Sequence, residues 1–280
     1  MSEDSLMNSP AQIVDVMIQS GETKAALPIG KMFVLGILAG VFIAFGAEAS
    51  SLAAHNMTLV GITRLVTGCV FPVGLIMVVL LGSELFTGNC LMVGALFNRK
   101  IGIGRLLRNW VVVYLGNLVG SLIIVELVNL TGQLGYSSNA LAAFTIKIAA
   151  SKVALGFGAA FVSGILCNIL VCVAVLLASA SKTIIGKIVA IWFPIMAFVV
   201  SGFEHSIANM YYIPAGMLAA MNPAYADAAH TLYGTSTAGL TLSGFLDNLV
   251  PVTLGNIVGG ILIGTAMWFC YGRRKAAAAN

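Results

Sequence analysis

The chain has 280 residues, of which 10 are Asp or Glu and 14 are Lys or Arg, so that charged residues make up 9% and hydrophobic ones 59%; a soluble globular protein carries roughly 25% charged residues. So little charge does not cover a water-facing surface, which excludes a disordered chain, a disulfide scaffold and a nucleic-acid binder, and the formal net charge of +4 calls for no acidic partner. What remains is an all-α polytopic membrane protein whose surroundings are the lipid bilayer.

Residues 1–30 are polar. Within them Ile13, Val14, Met17 and Ile18 are spaced for one face of a helix, predicting an interfacial N-terminal helix. Lys31 to Ala54 is apolar over 24 residues, enough to cross ~30 Å of hydrocarbon at ~1.5 Å per residue. This is the first span. Ala47-Glu48-Ala49 at its end resembles a signal-peptidase site, but thirty residues precede the apolar run, too many for a signal's leader. Leu65 to Leu81 is apolar, Gly82 to Asn89 interrupts it, and Cys90 to Phe97 adds only eight residues, ~12 Å of helix. Asn109 to Leu130 and Val153 to Ala180 are uninterrupted. Ile188 to Val200 then meets Ser201 to Asn209 before Met210 to Leu218, and a last span runs from Leu249 to Tyr271. Helices 2 and 5 are therefore read as broken, within a channel domain 31–271 followed by a tail 272–280. Six spans with the N-terminus inside place eleven of the 14 Lys and Arg inside; Arg64, Lys147 and Lys152 fall outside. That asymmetry predicts cytoplasmic N- and C-termini.

The two interruptions share G-x-E-x-x-x-x-N, at Gly82/Glu84/Asn89 and at Gly202/Glu204/Asn209, displaced by 120 residues. At the same displacement Gly36 matches Gly156, Ala39 matches Ala159 and Gly40 matches Ala160. Leu115-Gly-Asn-Leu-Val-Gly120 matches Leu254-Gly-Asn-Ile-Val-Gly259 at 139, an insertion of 19 that the polar stretch 219–248 supplies. Three spans duplicated enter the membrane in opposite senses, so repeats 31–130 and 151–271 are inverted. Paired broken helices in inverted halves point to a conduction site near the midplane, because backbone freed from a helix is tolerated at that depth only inside protein or beside water.

Each break exposes the N–H groups of its second half-helix, which favour an anion. Glu84 and Glu204 are read as capping loop N–H groups and holding the breaks in shape. His205 is the one histidine at membrane depth and can change charge near neutral pH; His55 and His230 fall in external loops. Thr87, in the other break, offers a hydroxyl. Lys152, placed at the external start of the fourth span, either concentrates anions at a vestibule or snorkels to headgroups. Phe71, Leu75 and Phe198 narrow the pore or simply pack, and Asn168 and Asn256 are intramembrane amides suited to bonding between helices. The five cysteines form no C-x-x-C pair and read as packing residues. There is no H-E-x-x-H and no G-x-S-G element, so no enzyme is predicted, and no cofactor or metal. Asn222-Pro223-Ala224 lies outside both breaks and reads as a loop turn; an aquaporin-like channel for neutral small solutes is the alternative. A non-conducting sensor has no use for two polar breaks at matched depth.

Ser201-Gly-Phe-Glu-His-Ser-Ile-Ala-Asn-Met210, Gly82-Ser-Glu-Leu-Phe-Thr-Gly88, Asn109-Trp through Gly120, Gly164-Ile-Leu-Cys-Asn168 and Pro251-Val-Thr-Leu-Gly-Asn256 together resemble the formate/nitrite transporter family, over nearly all the chain from about residue 25. The resemblance implies a homopentamer of aquaporin-like protomers, each with its own pore for small monovalent anions: formate, nitrite or hydrosulfide. It makes His205 the central histidine and Thr87 the loop threonine, with Glu204 orienting the histidine's break. Phe71, Leu75, Leu85, Val171 and Phe198 correspond to the family's hydrophobic constrictions, Asn168 and Asn256 to its pore asparagines, and Lys152 to its vestibule lysine. In the mechanism this suggests, an anion drawn to the Lys152 side is stabilised or protonated at His205 and Thr87 and passes the apolar rings as the neutral acid.

Overall fold

The structure, a computed structural model, describes residues 6–272; of the predicted inside charges, Arg273, Arg274 and Lys275 lie outside the described residues. Helix α1 (Pro10–Ala26) starts with a capping box: Gln12 N–H donates to Ser9 Oγ, Ser9 N–H donates to Gln12 Oε1 at 2.8 Å, and Pro10 takes the first turn. Its apolar face, Val14, Met17 and Ile18, is buried against the protein itself, where Gly21 lies against Ala95. Helix α2 (Ile29–Ala54) is the first span. Helices α3 (Val60–Val70) and α4 (Val73–Leu81) form a second, followed by the short α5 (Phe86–Asn89), a 3₁₀ turn and α6 (Val93–Phe97). Helix α7 (Ile103–Leu130) closes the first repeat, and α8 (Tyr136–Val153), α9 (Phe157–Ala180), α10 (Ile184–Ser201), α11 (Ser206–Ala220), α12 (Pro223–Tyr233) and α13 (Leu242–Tyr271) follow. Six of these segments are long and apolar enough to cross a membrane: α2, α3 with α4, α7, α9, α10 and α13.

Both broken helices stop in the same way. Gly82 (φ +71) and Gly202 (φ +74) adopt the left-handed conformation in which a Cβ is strained. Beyond them, Ser83 N–H bonds Val78 O at 2.9 Å and Phe203 N–H bonds Phe198 O at 3.1 Å, the six-to-one closure of a Schellman end. Helix resumes at Phe86 and Ser206. Each break is thus four residues, 82–85 and 202–205, shorter than the predicted 82–89 and 201–209, and Thr87, Asn89 and Asn209 sit on the half-helices.

The repeat register differs from the predicted one in the first spans. Gly36 faces Val113 and Gly116, and its counterpart facing Val252 and Gly255 is Gly164, displaced by 128 residues; Gly156 only caps α9 and has open space around it. Small residues recur so often along both helices that a slip of eight residues still matched small to small. The break register of 120 is recovered partly because α10 crosses in 18 residues where α3 and α4 take 22. The insertion of 19 is borne out: α12, capped by Asn222 Oδ1 on Ala224 N–H at 3.0 Å, falls in 219–248 and outside both breaks.

Residues 131–152, an external connection in the sequence reading, contain α8. Its Leu141, Ala142, Ala143 and Ile146 are buried in a second small core shared with Leu134, Ala219 and Ala229, and the buried Phe144 packs on Tyr233. The fourth span starts at Phe157 rather than Val153, so Lys152 belongs to α8. Helix α8 stands before α9 as α1 stands before α2, and each carries a lysine in its last turn, Lys24 and Lys152. Glu48, buried in α2, accepts from Gln133 Nε2 at 2.7 Å and from the Tyr211 hydroxyl, tying the first span to α11.

The crossing of α2 over α7 depends on glycine. A Cβ on Gly120 would stand 2.9 Å from Ile37 C and from Val41 N, backbone atoms that do not move aside. Gly120→Val is expected to abolish folded protein in size-exclusion chromatography of the detergent extract. Gly104→Val, on the same helix with nothing within 4 Å, keeps it.

Candidate permeation site

Two mirrored polar clamps build the breaks. In the first, Lys24 Nζ lies 2.7 Å from Glu84 Oε1, and Asn89 Nδ2 donates to Glu84 Oε2 (2.7 Å) and to Asn109 Oδ1 (2.8 Å). In the second, Lys152 Nζ lies 2.8 Å from Glu204 Oε1, and Asn209 Nδ2 donates to Glu204 Oε2 (2.6 Å) and to Asn248 Oδ1 (2.7 Å). The G-x-E-x-x-x-x-N spacing is thereby explained: it sets the carboxylate of each break against an amide one turn into the half-helix that follows. Asn117 accepts from Phe86 N–H (3.0 Å) and donates to Gly36 O (2.8 Å) and Glu84 O (2.9 Å). Asn256 accepts from Ser206 N–H (2.9 Å) and donates to Gly164 O (2.8 Å) and Glu204 O (3.0 Å). The backbone groups that a broken helix leaves unpaired are satisfied by these side chains.

This geometry corrects two expectations. Glu84 and Glu204 do not cap loop N–H groups; they hold a lysine and an amide, while Glu84 N–H goes to Leu35 O (3.2 Å) and Glu204 N–H to Ser163 Oγ (3.0 Å). Lys152 is not a free vestibule cation: its side chain is 14% exposed, its charge is matched by Glu204, and its ammonium stands 5.4 Å from the Tyr212 ring. The half-helix N-termini also offer less to a ligand than predicted, because Phe86, Ser206 and Ala208 N–H groups are already taken by Asn117, Asn256 and His205.

Between the clamps lies one asymmetric pair. His205 is buried at the cap of α11, where its Nδ1 accepts from Ala208 N–H at 3.0 Å. That assigns the neutral ring's proton to Nε2, which lies 2.9 Å from Thr87 Oγ1, a fully buried hydroxyl. Nε2–H donates to Thr87, and the threonine O–H is left to donate elsewhere. A second proton on Nδ1 would face the Ala208 N–H and break the cap. At the repeat displacement of 120, His205 replaces Leu85 and Ile207 replaces Thr87, so the polar pair occurs once in a two-fold scaffold.

Apolar side chains flank it. The Phe198 ring stacks on His205 (centroids 5.9 Å, 24°) and Phe71 meets Phe198 edge-on (5.6 Å, 86°). Leu75 and Leu85 are buried and line a cavity that opens on the α1 side, and Val171 is buried. Asn168 Nδ2 donates to Thr87 O (3.2 Å) and Asn256 O (2.6 Å). It braces the threonine's backbone, as Asn256 braces that of Glu204. Sequence reasoning missed Lys24, Asn109, Asn117 and Asn248 as parts of the site. A signal for the asparagines was present: Asn109 and Asn248 stand at the same displacement of 139 as the two L-G-N runs.

Residues 11–270 match the family model described as formate/nitrite transporter. A probable formate transporter of Methanothermobacter thermautotrophicus is 41% identical over 287 residues, 95% of this chain and 98% of that one. The formate channel FocA of Escherichia coli K12 is 37% identical over 277 residues, 95% of each. Among solved structures, a pentameric formate channel with formate bound superposes with a TM-score of 0.76 at 35% identity, covering 88% of this chain and 98% of that one. An FNT family ion channel does so at 0.78 and 28%, covering 92% and 98%. Six apolar spans, two broken helices and a family match over residues 11–270 make this multi-pass membrane protein a member of the formate/nitrite transporter family.

Proposed function

We propose that the chain is a channel for a small monovalent anion, with formate as the permeant, and that the anion is met at its narrowest point by Thr87 and His205. The observation that carries this reading is the Nε2–Oγ1 contact of 2.9 Å: a buried imidazole and hydroxyl, one from each repeat, with the hydroxyl proton unassigned to any protein acceptor, between the Phe71–Phe198 pair and the Leu75–Leu85 floor. A bare charge is costly against those rings, whereas the anion of a weak acid that takes the Thr87 O–H proton, while His205 Nε2–H passes to Thr87 and is replaced from water, crosses them as the neutral acid. Lys152 and Lys24, each paired with a glutamate, give the approach an ordered dipole on either side. Formate rather than nitrite or hydrosulfide is favoured by the relatives named above. A pentamer is inferred from the pentameric neighbour; Ile184, Ile185, Val189 and Phe193 of α10, and Val60, Ile62 and Leu65 at the opposite end of the α3–α10 pair, are exposed on one protomer and are apolar surface for a neighbouring protomer or lipid to cover. The distribution of lysine and arginine in the sequence supports cytoplasmic N- and C-termini.

Purified protein in liposomes, offered formate, nitrite and hydrosulfide in one competition, is expected to pass formate fastest. Thr87→Val removes the buried donor to the anion at a cost of about 1.5–3 kcal/mol, so flux falls roughly ten- to hundredfold with assembly intact. His205→Phe is expected to flatten the dependence of flux on pH; a pH dependence identical to wild type discards the proton-transfer role.

A further inference from the structure

The mouth on the α1 side is far larger than a small monovalent anion needs. Its cavity has a volume of about 820 Å³ and is walled by α1, by the α9–α10 connection and by the first break. Four charged residues line it: Lys24, Glu84, Lys182 and Lys187. Lys24 is neutralised by Glu84, whereas Lys182 and Lys187 belong to none of the ion pairs among the described residues. Ser83 also lines the cavity, with its hydroxyl buried behind the surface and without a hydrogen-bond partner among the described residues. The floor is apolar: Leu75, Val78 and Leu85.

Two ammonium groups with no ion-pair partner among the described residues, beside an apolar lining, fit an anion whose charges are spread along its length. We propose that this cavity is a binding site for soluble polyanions of the phosphate-chain class, which plug the pore. The proposal rests on the reading of the chain as an anion channel. A polyanion enters because the rim is positive and hydrated. It stops at Leu75 and Leu85 because several charges would have to shed water there at once, a cost that a singly charged permeant able to take up a proton avoids.

The probe is inorganic tripolyphosphate. Its binding is measured on the detergent-solubilised protein by equilibrium dialysis and by the rise in melting temperature that any ligand of the folded state produces. Block is measured as formate flux in liposomes of zwitterionic lipid. The expected result is saturable binding of one tripolyphosphate per chain and about a tenfold loss of flux, which potassium chloride at equal ionic strength does not reproduce. Lys182→Ala with Lys187→Ala is expected to keep formate flux within about twofold without tripolyphosphate and to lose both binding and block. The proposal is overturned by an absence of binding, by binding equal in wild type and the double variant, or by block that potassium chloride matches. It is also overturned if phosphatidylglycerol in the bilayer, without tripolyphosphate, gives the block, since a lipid headgroup would then be the occupant. A protein that binds tripolyphosphate yet passes no anion refutes the channel reading alone; one that conducts and binds nothing refutes only this proposal.

Discussion

Asn256→Leu is expected to leave no folded, conducting channel. The leucine fits the space, but three backbone groups lose their partners together: Gly164 O, Glu204 O and Ser206 N–H. Gly164 O keeps its helical partner within α9, but Glu204 O and Ser206 N–H have none to return to, because the chain between Gly202 and Ser206 is not helix. A buried polar group left unmade costs about 1–3 kcal/mol, so two together take a large share of the ~5–15 kcal/mol that holds a whole domain together. Asn117→Leu does the same to the first break through Gly36 O, Glu84 O and Phe86 N–H. Asn168→Ala removes one donor from Thr87 O and one from Asn256 O, both of which keep other partners, and is expected to assemble and to lose flux rather than fold. Size-exclusion profiles of the three variants in detergent, with liposome flux of whatever elutes as folded protein, give the ranking. A monodisperse Asn256→Leu protein conducting like wild type would end the view that these amides hold the breaks open.

The sequence disclosed the spans because a bilayer demands long apolar runs, and it disclosed the breaks because eight apolar residues after Asn89 cannot cross. It disclosed the repeat through Gly82/Glu84/Asn89 and Gly202/Glu204/Asn209 because the same carboxylate-to-amide bond is made twice. What it hid was of two kinds. Helix α8 was hidden because its core is largely alanine beside Ser137, Ser138, Lys147 and Lys152, neither apolar enough for a span nor polar enough to mark a loop, and because three residues at its start, Ser137 to Asn139, take positive φ. The partners of the lysines were hidden because pairing across elements leaves no local spacing to read. Lys24 and Glu84 are 60 positions apart, and nothing in either neighbourhood signals the other. The misplaced register of the first spans has a third cause: glycine and alanine match one another at many displacements, and only contact with Val113 or Val252 distinguishes the true one.

Glu204→Gln is the other large effect. It leaves the Lys152 ammonium, 14% exposed, without a counter-charge, and it sets an amide NH₂ against a site where Lys152, Asn209 and Asn248 all donate. Removing one partner of a buried ion pair costs about 3–5 kcal/mol. The mirrored Glu84→Gln is expected to cost less, since Lys24 is 26% exposed and recovers part of its solvation from the α1-side cavity. Lys152→Met combined with Glu204→Gln removes both charges, and because a buried pair is often close to neutral against an apolar replacement, the double variant is expected to regain near-wild-type thermal stability. It is not expected to regain flux: with the ammonium gone, an anion approaching His205 from that side loses the donor end of the dipole that the pair presents. Stability measured on detergent-solubilised protein and formate flux in liposomes therefore separate in the double variant and fall together in the single one. If Glu204→Gln alone melts at the wild-type temperature, the clamp is not what orders the second break; if the double variant conducts normally, the charge of Lys152 has no part in permeation and its pairing serves the fold alone.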